Sequence, residues 1–193
     1  MVKDQKLGIF IDAENVEISA SKVYRSEINY RKIFDILSRR TVIRYMYYKP
    51  VHLPIASDFE KYFEQLGGEV RQPSKNADLY LAVDAITMAE KLDVIVLIGG
   101  DKDYAPLLWF LKSKGCKVEV WAFPDSTATS LIEIADDYVP MDEKFILGRS
   151  SSNRPMRKPR RNPREDHRPI IKPREHPEKE LKEVESPGNR DLE

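Results

Sequence analysis

The sequence predicts an α/β fold, namely a three-layer α/β/α sandwich with a mostly parallel central sheet, followed by a disordered C-terminal tail. Short runs of β-branched and aliphatic residues, such as residues 7–11 and 94–98, have the length and composition of strands buried on both faces. Segments with apolar residues at helical spacing lie between these runs. Strands that alternate with helices are typical of a parallel sheet covered on both sides.

The elements alternate along the chain, and prolines and glycines stand near their ends, where they interrupt regular structure. The predicted strands are residues 7–11, 42–48, 69–71, 94–98, 117–122 and 138–141. The predicted helices are residues 29–40, 58–66, 76–91, 104–114 and 130–135.

Individual side chains set the expected helix ends and faces. Ser57 and Glu60 have the spacing of a capping box at the start of the second helix. Asp103 is expected to cap the fourth helix, because Pro106 falls in its first turn, where a missing N–H does no harm. The residues expected to pack the third helix against the sheet are Leu79, Ala82, Val83 and Ile86.

Charge is distributed unevenly, although the formal net charge of the 193 residues is zero. Residues 1–148 carry 19 basic and 23 acidic side chains and are predicted to form the folded domain. Residues 149–174 carry ten basic side chains against two acids, and proline recurs there every four to six residues. We therefore expect residues 149–193 to be a disordered tail whose basic part, residues 149–174, contacts nucleic-acid phosphates. A solubilising linker or an arm docked on the acidic domain is the alternative.

The amino-acid composition also indicates in which cellular compartment the protein works. A single cysteine, Cys116, excludes an intramolecular disulfide and a cysteine-based zinc site, and we expect it to be a small buried residue. The N-terminal apolar stretch is too short for a signal peptide, and no segment approaches the roughly 18–20 apolar residues of a membrane span. The sequence thus predicts a cytoplasmic protein with no membrane partner. The aromatic-rich residues 42–48 and 58–66 are expected in the core, with a homodimer surface as the alternative.

Acidic residues follow two of the predicted strands. Asp12, with Asn15 nearby, comes after the first strand, Asp101 and Asp103 come after the fourth, and Asp78 opens the third helix. Ligands of parallel sheets gather at the carboxyl ends of the strands, so we expect these side chains to meet. Carboxylates held close together repel one another, and a bound cation removes that cost. Oxygen ligands without His or Cys favour Mg²⁺ or Mn²⁺, ions that activate water for phosphodiester hydrolysis.

Each of these residues also has a simpler interpretation. A single aspartate after a strand is most often a cap or turn former, and Asp78 suits the first turn of a helix through the helix dipole. Asn15 either makes the turn or orients a ligand. Lys75 either neutralises a phosphate or is merely solvated. Asp84 lies about 120° from Asp78 around an ideal helix, so we expect a structural or supporting role for it.

Three further features of the sequence exclude other kinds of reaction and binding site. The glycine pair at 99–100 lacks the spacing of a dinucleotide-binding motif and instead permits a tight turn beside the acids. His52, His167 and His176 are scattered, which argues against a histidine base or a serine triad. A phosphatase of the haloacid dehalogenase type also begins with an aspartate after its first strand. That class needs a second aspartate two residues later, where this chain has Glu14.

Several segments carry a resemblance to a known family. They are F-I-D-A-E-N at 10–15, K-x-x-D at 75–78 followed by L-A-V-D-A, and the stretch at 99–121 that begins G-G-D-K-D-Y. A segment at 128–138 is similar to the last helix of the same family. Over residues 6–142 the chain resembles the NYN domain, most closely its LabA-like branch within the PIN-like nuclease superfamily.

The resemblance implies a PIN-like fold and a nuclease activity on RNA. The acids that match the family motifs are Asp12, Asp78, Asp101 and Asp103, which the resemblance makes both catalytic residues and ligands of Mg²⁺ or Mn²⁺. The leading hypothesis is therefore a metal-dependent endoribonuclease. The alternative is a catalytically weak or inactive RNA-binding or regulatory module that keeps the same fold.

The chain departs from the usual motifs beside two of these acids. Ala13 replaces a glycine, Glu14 replaces a small residue, and G-G-D-K-D-Y replaces the usual S-G-D-S-D-F. Glu14 either adds a ligand or points to solvent. Lys102 either weakens cation binding or meets a phosphate. The acidic positions themselves are retained, so the resemblance implies an intact site.

Overall fold

The computed structural model describes residues 4–148 and confirms the α/β/α sandwich. Its central sheet has six strands in the order β3-β2-β1-β4-β5-β6, and every pair of neighbouring strands is parallel. The strands are β1 Leu7–Asp12, β2 Val42–Tyr48, β3 Gly68–Arg71, β4 Val94–Ile98, β5 Lys117–Ala122 and β6 Asp137–Pro140. The helices are α1 Ala13–Tyr24, α2 Tyr30–Leu37, α3 Ser57–Gln65, α4 Ala77–Met88, α5 Ala105–Ser113 and α6 Thr129–Ile134. The predicted tail lies outside the described residues.

Helices cover both faces of the sheet, which explains the continuous apolar runs of β1 and β4. Helices α1, α2 and α3 pack on one face, where Ile9 and Ile11 of β1 are fully buried. Helices α4, α5 and α6 pack on the other face, where Phe10 is buried. Successive side chains of a strand point to opposite faces, so a strand between two helical layers is apolar at every position.

The strand order reverses at β1, which pairs with β2 on one side and with β4 on the other. Ile11 lies opposite Ile98 in the parallel register, so the carboxyl ends of β1 and β4 meet at the same edge. In open α/β sheets this reversal opens a crevice that holds ligands. Asp12 and the turn after Ile98 therefore lie at the crevice.

The sequence does not predict α1, because its buried face lacks large apolar side chains. Its buried residues are Ala13, Val16, Ser19 and Ala20. The helix begins directly after β1, and the Asp12 carboxylate caps it by accepting a hydrogen bond from the Asn15 N–H.

A partly buried polar cluster holds α1 against the end of β2. The Glu17 carboxylate accepts hydrogen bonds from the hydroxyls of Tyr30 at 3.2 Å and Tyr47 at 2.7 Å. Its second oxygen pairs with the Lys49 ammonium at 2.7 Å. Hydrogen bonds to a charged group are stronger than neutral ones, so this cluster fixes the helix that carries Asn15.

Helix α4 turns a different face to the sheet from the one predicted. Its buried residues are Ala77, Leu81 and Ala85. The residues expected there, Leu79, Val83 and Ile86, are 56%, 52% and 41% exposed. The prediction was wrong for these three residues, whereas the fourth, Ala82, is partly buried against the core. The helix is apolar around much of its circumference, so spacing alone does not select the packed face.

Two expected caps are also absent. Ser57 is the first residue of α3, and Ala56 precedes it without a side-chain cap, so the capping box does not form. Asp103 does not cap α5. The Asp101 carboxylate instead caps a 3₁₀ turn by accepting the Asp103 N–H at 3.1 Å, and α5 begins at Ala105.

Other expectations about burial are confirmed. Cys116 is buried, and so are Tyr47 of β2 and Phe63 of α3, which places both aromatic segments in the core. Within residues 4–148, none of the helices has the length and apolar character to cross a membrane.

Candidate active site

A cavity of about 710 Å³ opens where the carboxyl ends of β1 and β4 meet. All four acids singled out in the sequence line it, although they come from three separate segments of the chain. They are Asp12, Asp78, Asp101 and Asp103. Glu14 and Asn15 also line the cavity. The parallel sheet therefore brings together side chains that are up to 91 residues apart in sequence.

Asp12 is the most constrained of the acids. One carboxylate oxygen accepts the Asn15 N–H at 3.1 Å, and the other accepts the Tyr104 hydroxyl at 2.8 Å. Burial raises the pKa of Asp12 above its ordinary value, and the charges of Asp101 and Glu14 act in the same direction. The two hydrogen bonds oppose this shift, because they stabilise the ionised carboxylate. A nearby cation would act in the same direction as these bonds.

Asn15 ties the two strand ends together. Its side-chain oxygen accepts the Gly100 N–H at 2.9 Å, which links α1 to the turn after β4. A Cβ atom on Gly100 would lie 2.8 Å from the Ser126 carbonyl oxygen and 3.0 Å from the Thr127 Cα. Glycine is thus required because a neighbouring backbone segment packs directly against it.

Asp101, Asp103 and Asp78 are exposed at the mouth of the cavity. Asp101 and Asp103 flank the exposed Lys102 on the 3₁₀ turn that leads into α5. Asp78 lies in the first turn of α4, two residues after Asn76, whose φ of 54° places it in the left-handed region. Exposed carboxylates at a cavity mouth are accessible to a ligand.

Tyr104 was not predicted as a site residue. It is only 3% exposed and lies behind the acids, in contact with Asp12. Burial raises the pKa of Tyr104 well above its ordinary value, and the negative charge of Asp12 adds to this shift. The hydroxyl therefore stays protonated and donates to Asp12. In the sequence, the one indication of this role is that Tyr104 directly follows Asp103, at a position where the resembled motif usually has phenylalanine.

Three predicted supporting residues do not line the cavity. Lys75 and Lys102 are exposed and lie outside its lining. The Asp84 carboxylate accepts the Tyr48 hydroxyl at 2.8 Å and lies 3.2 Å from Nε of Arg71. Asp84 therefore joins α4 to β2 and β3, as its distance from the Asp78 face of the helix suggests.

The acids offer a donor set of oxygen atoms to a cation. Among residues 4–148, no three His, Cys, Asp or Glu side chains lie close enough together to form a complete metal centre. Mg²⁺ is usually held by one or two carboxylates and keeps water or phosphate oxygens as its other ligands. The lining carboxylates, with open space between them, fit that kind of coordination.

One side of the cavity is an apolar wall made by α4 and α5. Its members are Leu79, Ala82, Ile86, Leu107 and Phe110. Leu79, Ala82 and Ile86 belong to the face of α4 that was expected to be core, so the corrected orientation of this helix supplies the wall. Ile18 and Pro50 also line the cavity.

Replacing Tyr104 with phenylalanine tests how the hydroxyl acts on Asp12. The hydrogen bond lowers the pKa of Asp12, so its loss raises that pKa further. If RNA cleavage requires ionised Asp12, a higher pKa leaves less of the active form at acid pH. The acid limb of the profile of kcat/KM against pH then moves to higher pH. We expect kcat/KM of the variant to fall a few fold at acid pH and to change little at alkaline pH. The control is Tyr45→Phe, in the core away from the acids, and an identical profile for both variants would contradict this role.

The parallel sheet and the acidic cavity at its reversal point define a doubly wound α/β protein with a candidate hydrolytic site. The chain belongs to the NYN domain family, whose model matches residues 6–142. This family is part of the PIN-like superfamily, so the chain has a PIN-like nuclease fold, and members of the family are generally nucleases.

A solved structure shares this fold. It is the crystal structure of a protein of unknown function, VPA0982, from Vibrio parahaemolyticus RIMD 2210633. The two chains are 26% identical with a TM-score of 0.68, and the match covers 76% of this chain and 99% of the other. The comparison with curated proteins finds no match.

Proposed function

We propose that this protein is a metal-dependent endoribonuclease that hydrolyses RNA phosphodiester bonds. The observation that carries the proposal is that Asp12, Asp78, Asp101 and Asp103 line one cavity at the reversal point of the sheet. Membership of a family of nucleases supports the reaction class. The proposed cofactor is Mg²⁺ or Mn²⁺, because the donors are oxygens and the cavity lining contains no His or Cys.

Each acid has a proposed task that follows from its surroundings. Asp12 is the anchoring ligand, because hydrogen bonds from Asn15 and Tyr104 fix both of its oxygens. Asp101, Asp103 and Asp78 are exposed on the solvent side, where they would supply a further carboxylate directly or through the water ligands of the cation. When bound, the cation supplies polarisation of a phosphoryl oxygen and a lowered pKa for attacking water. Hydrolysis then forms a bond from the water oxygen to phosphorus, breaks the bond to the leaving oxygen, and transfers a proton to that oxygen.

We further propose that the basic tail contributes to RNA affinity. Residues 149–174 carry ten basic side chains, whereas no basic residue of the described part lines the cavity. Contacts to phosphates release counterions, so this contribution falls steeply with salt concentration. Removal of residues 149–193 is expected to weaken RNA binding at low salt and to reduce its salt dependence. An unchanged affinity at two salt concentrations would contradict the proposal.

A catalytically weak RNA-binding module is the second candidate. One observation favours it: no three acidic side chains of residues 4–148 are close enough to form a complete metal centre. If RNA binding does not draw these carboxylates together, the pocket binds without turnover.

Cleavage of labelled RNA with Mn²⁺, Mg²⁺ or EDTA separates the two candidates. Wild-type protein is expected to cut RNA with either metal and to stop in EDTA, and Asp101→Asn is expected to lose cleavage while keeping its fold. The matched control is Asp35→Asn, an exposed acid on α2 that does not line the cavity. Cleavage that survives both EDTA and Asp101→Asn would overturn the proposal. RNA binding without any cleavage would favour the binding module.

A further inference from the structure

A second cavity, of about 690 Å³, lies among α1, α2 and α3, and we name it the α1–α3 pocket. The lining residues that could bind a ligand are Glu17, Tyr30, Tyr47, Lys49, Phe59 and Tyr62. Helix α1 separates this pocket from the acidic cavity, since Glu14 lines the acidic cavity and Glu17 lines the pocket. We propose that the α1–α3 pocket binds a nucleobase that carries an N–H beside a carbonyl oxygen, as uracil and hypoxanthine do. Such a site would be independent of the nuclease activity.

A charged pair in the pocket offers hydrogen-bond donors and an acceptor side by side. The Lys49 ammonium has three N–H donors, and among residues 4–148 only the Glu17 carboxylate accepts from it, at 2.7 Å. Lys49 is only 8% exposed, so leaving its other two donors without an acceptor is costly. The Glu17 carboxylate has about four lone-pair sites, of which two tyrosine hydroxyls and the Lys49 ammonium take three. A ligand with an acceptor next to a donor would therefore satisfy both side chains.

Two buried tyrosines fix this charged pair in place. The hydroxyls of Tyr30 and Tyr47 both donate to Oε1 of Glu17, which leaves Oε2 to pair with Lys49. Burial raises the pKa of Tyr30 and of Tyr47 above their ordinary value, and the negative charge of Glu17 adds to both shifts. The hydroxyls thus stay protonated and continue to donate. A pair that is already fixed loses little freedom when a ligand binds.

Aromatic rings lie beside the charged pair and suit a flat ligand. Tyr30, Tyr47 and Phe59 contact one another, with ring centroids between 4.9 and 5.6 Å apart. Phe59 and Tyr62 line the pocket and are only partly buried, so part of their surface is accessible to a ligand. Bases stack on aromatic side chains. A planar heterocycle that hydrogen-bonds through its edge would use both the rings and the charged pair.

The charges at the rim do not favour a phosphate group. Two exposed arginines, Arg25 and Arg31, line the pocket, and two exposed acids, Glu27 and Asp58, oppose them. The Arg31 guanidinium also lies over the Tyr62 ring, at 4.0 Å from its centroid. With the Glu17–Lys49 pair included, the described lining residues carry three basic and three acidic side chains. Recognition therefore depends on the base, which is neutral.

The chemistry of the pair selects among the bases. Hydrogen bonds with a charged partner are the strongest, and they are best made between an ammonium and a carbonyl oxygen and between a carboxylate and an N–H. Uracil and hypoxanthine present a carbonyl oxygen and an N–H next to each other. Adenine has no carbonyl oxygen and offers Lys49 only a ring nitrogen, so we expect it to bind more weakly.

Calorimetric titration of the full-length protein with uridine and with inosine, in EDTA, tests the proposal. We expect at least one of them to bind, and its N-methylated counterpart, 3-methyluridine or 1-methylinosine, to bind about tenfold or more weakly, because the methyl group removes the N–H that would face Glu17. Lys49→Met is expected to weaken nucleoside binding by about tenfold or more. The control Lys61→Met changes an exposed lysine of α3 outside the pocket lining, and we expect a change within about twofold.

Equal affinity for the bound nucleoside and its N-methylated counterpart would overturn the proposal, and this comparison uses wild-type protein, so it does not require Lys49→Met to fold. Equal nucleoside affinity in Lys49→Met and Lys61→Met would also overturn it. So would a failure of either base to bind both as a free nucleoside and within an RNA hexamer.

Competition distinguishes free nucleosides from bases within RNA. The competitor is a hexamer of adenosine in which one central residue is replaced by the nucleoside that binds, and the all-adenosine hexamer is its control. Displacement of the nucleoside by the substituted hexamer alone assigns the pocket to bases of RNA, and no displacement assigns it to free nucleosides. Either result supports the pocket.

The pocket and the proposed nuclease activity can fail separately. Nucleoside binding that depends on Lys49, in a protein without metal-dependent cleavage, would support the pocket and refute the nuclease. Metal-dependent cleavage by a protein whose α1–α3 pocket binds neither base would do the reverse.

Discussion

Asp12→Asn is expected to reduce RNA cleavage by about 100-fold or more, since the cation contributes several kcal/mol to the stabilisation of the transition state. Asparagine has nearly the same shape and can keep the hydrogen bond from the Asn15 N–H. The Tyr104 hydroxyl, which now donates to Asp12, can rotate to accept from the new amide. The change therefore removes the charge and leaves the local packing intact. The measurement is kcat/KM with Mn²⁺ present.

The stability of the same variant shows whether the loss is chemical. In metal-free protein, burial raises the pKa of Asp12, so the folded state binds this proton more tightly than the unfolded state. Binding of this proton therefore adds to the free energy of unfolding at low pH. That contribution is lost as the pH rises through the raised pKa of Asp12. Asn does not titrate, so the variant is expected to be at least as stable as wild type at neutral pH. The difference in the free energy of unfolding between the two proteins is expected to be smaller at acid pH. Cleavage at the wild-type rate would contradict the role of Asp12.

Gly100→Ala is expected to reduce cleavage by about 10- to 100-fold and to destabilise the fold by about 1–3 kcal/mol. The added methyl group would lie 2.8 Å from the Ser126 carbonyl oxygen, so one of two backbone segments must move. Any movement of Gly100 disturbs its hydrogen bond to Asn15 and the position of Asp101, the next residue. Displacement of reacting groups by about 1 Å has large effects on rate.

The control for Gly100→Ala is Gly148→Ala, where an added Cβ meets nothing within 4 Å. We expect this control to keep both cleavage and the urea midpoint of unfolding. If Gly100→Ala cleaves RNA at the wild-type rate, the function of the turn does not depend on its close approach to Ser126 and Thr127. A loss of stability without any loss of cleavage would separate the turn from the site.

The convergence of the acids was predictable because it depends on features that one strand carries by itself. A run buried on both faces identifies a strand of a parallel sheet, and an acid directly after it must lie at the carboxyl edge. Asp12 after β1 and Asp101 after β4 both satisfy this condition. Asp78 opens the helix that follows β3, and a helix that follows a strand begins at the carboxyl edge of the sheet.

The features that sequence reasoning missed depend on tertiary packing. Several faces of α4 are apolar, and only contact with β1 and β2 selects the face that contains Leu81. The hydrogen bond from Tyr104 to Asp12 joins residues 92 positions apart. The partners of Asp84, which are Tyr48 and Arg71, also belong to other elements, so the sequence predicts its structural role but not these contacts.

Direct binding of Mn²⁺ is the measurement that tests most simply whether the four acids form one cation site. Calorimetric titration of the RNA-free protein would compare wild type with Asp12→Asn, Asp101→Asn and the control Asp35→Asn. We predict that each cavity variant weakens Mn²⁺ binding by at least about tenfold and that the control binds as wild type does. Equal Mn²⁺ affinity in all four proteins would contradict a cation site at the carboxyl ends of β1 and β4.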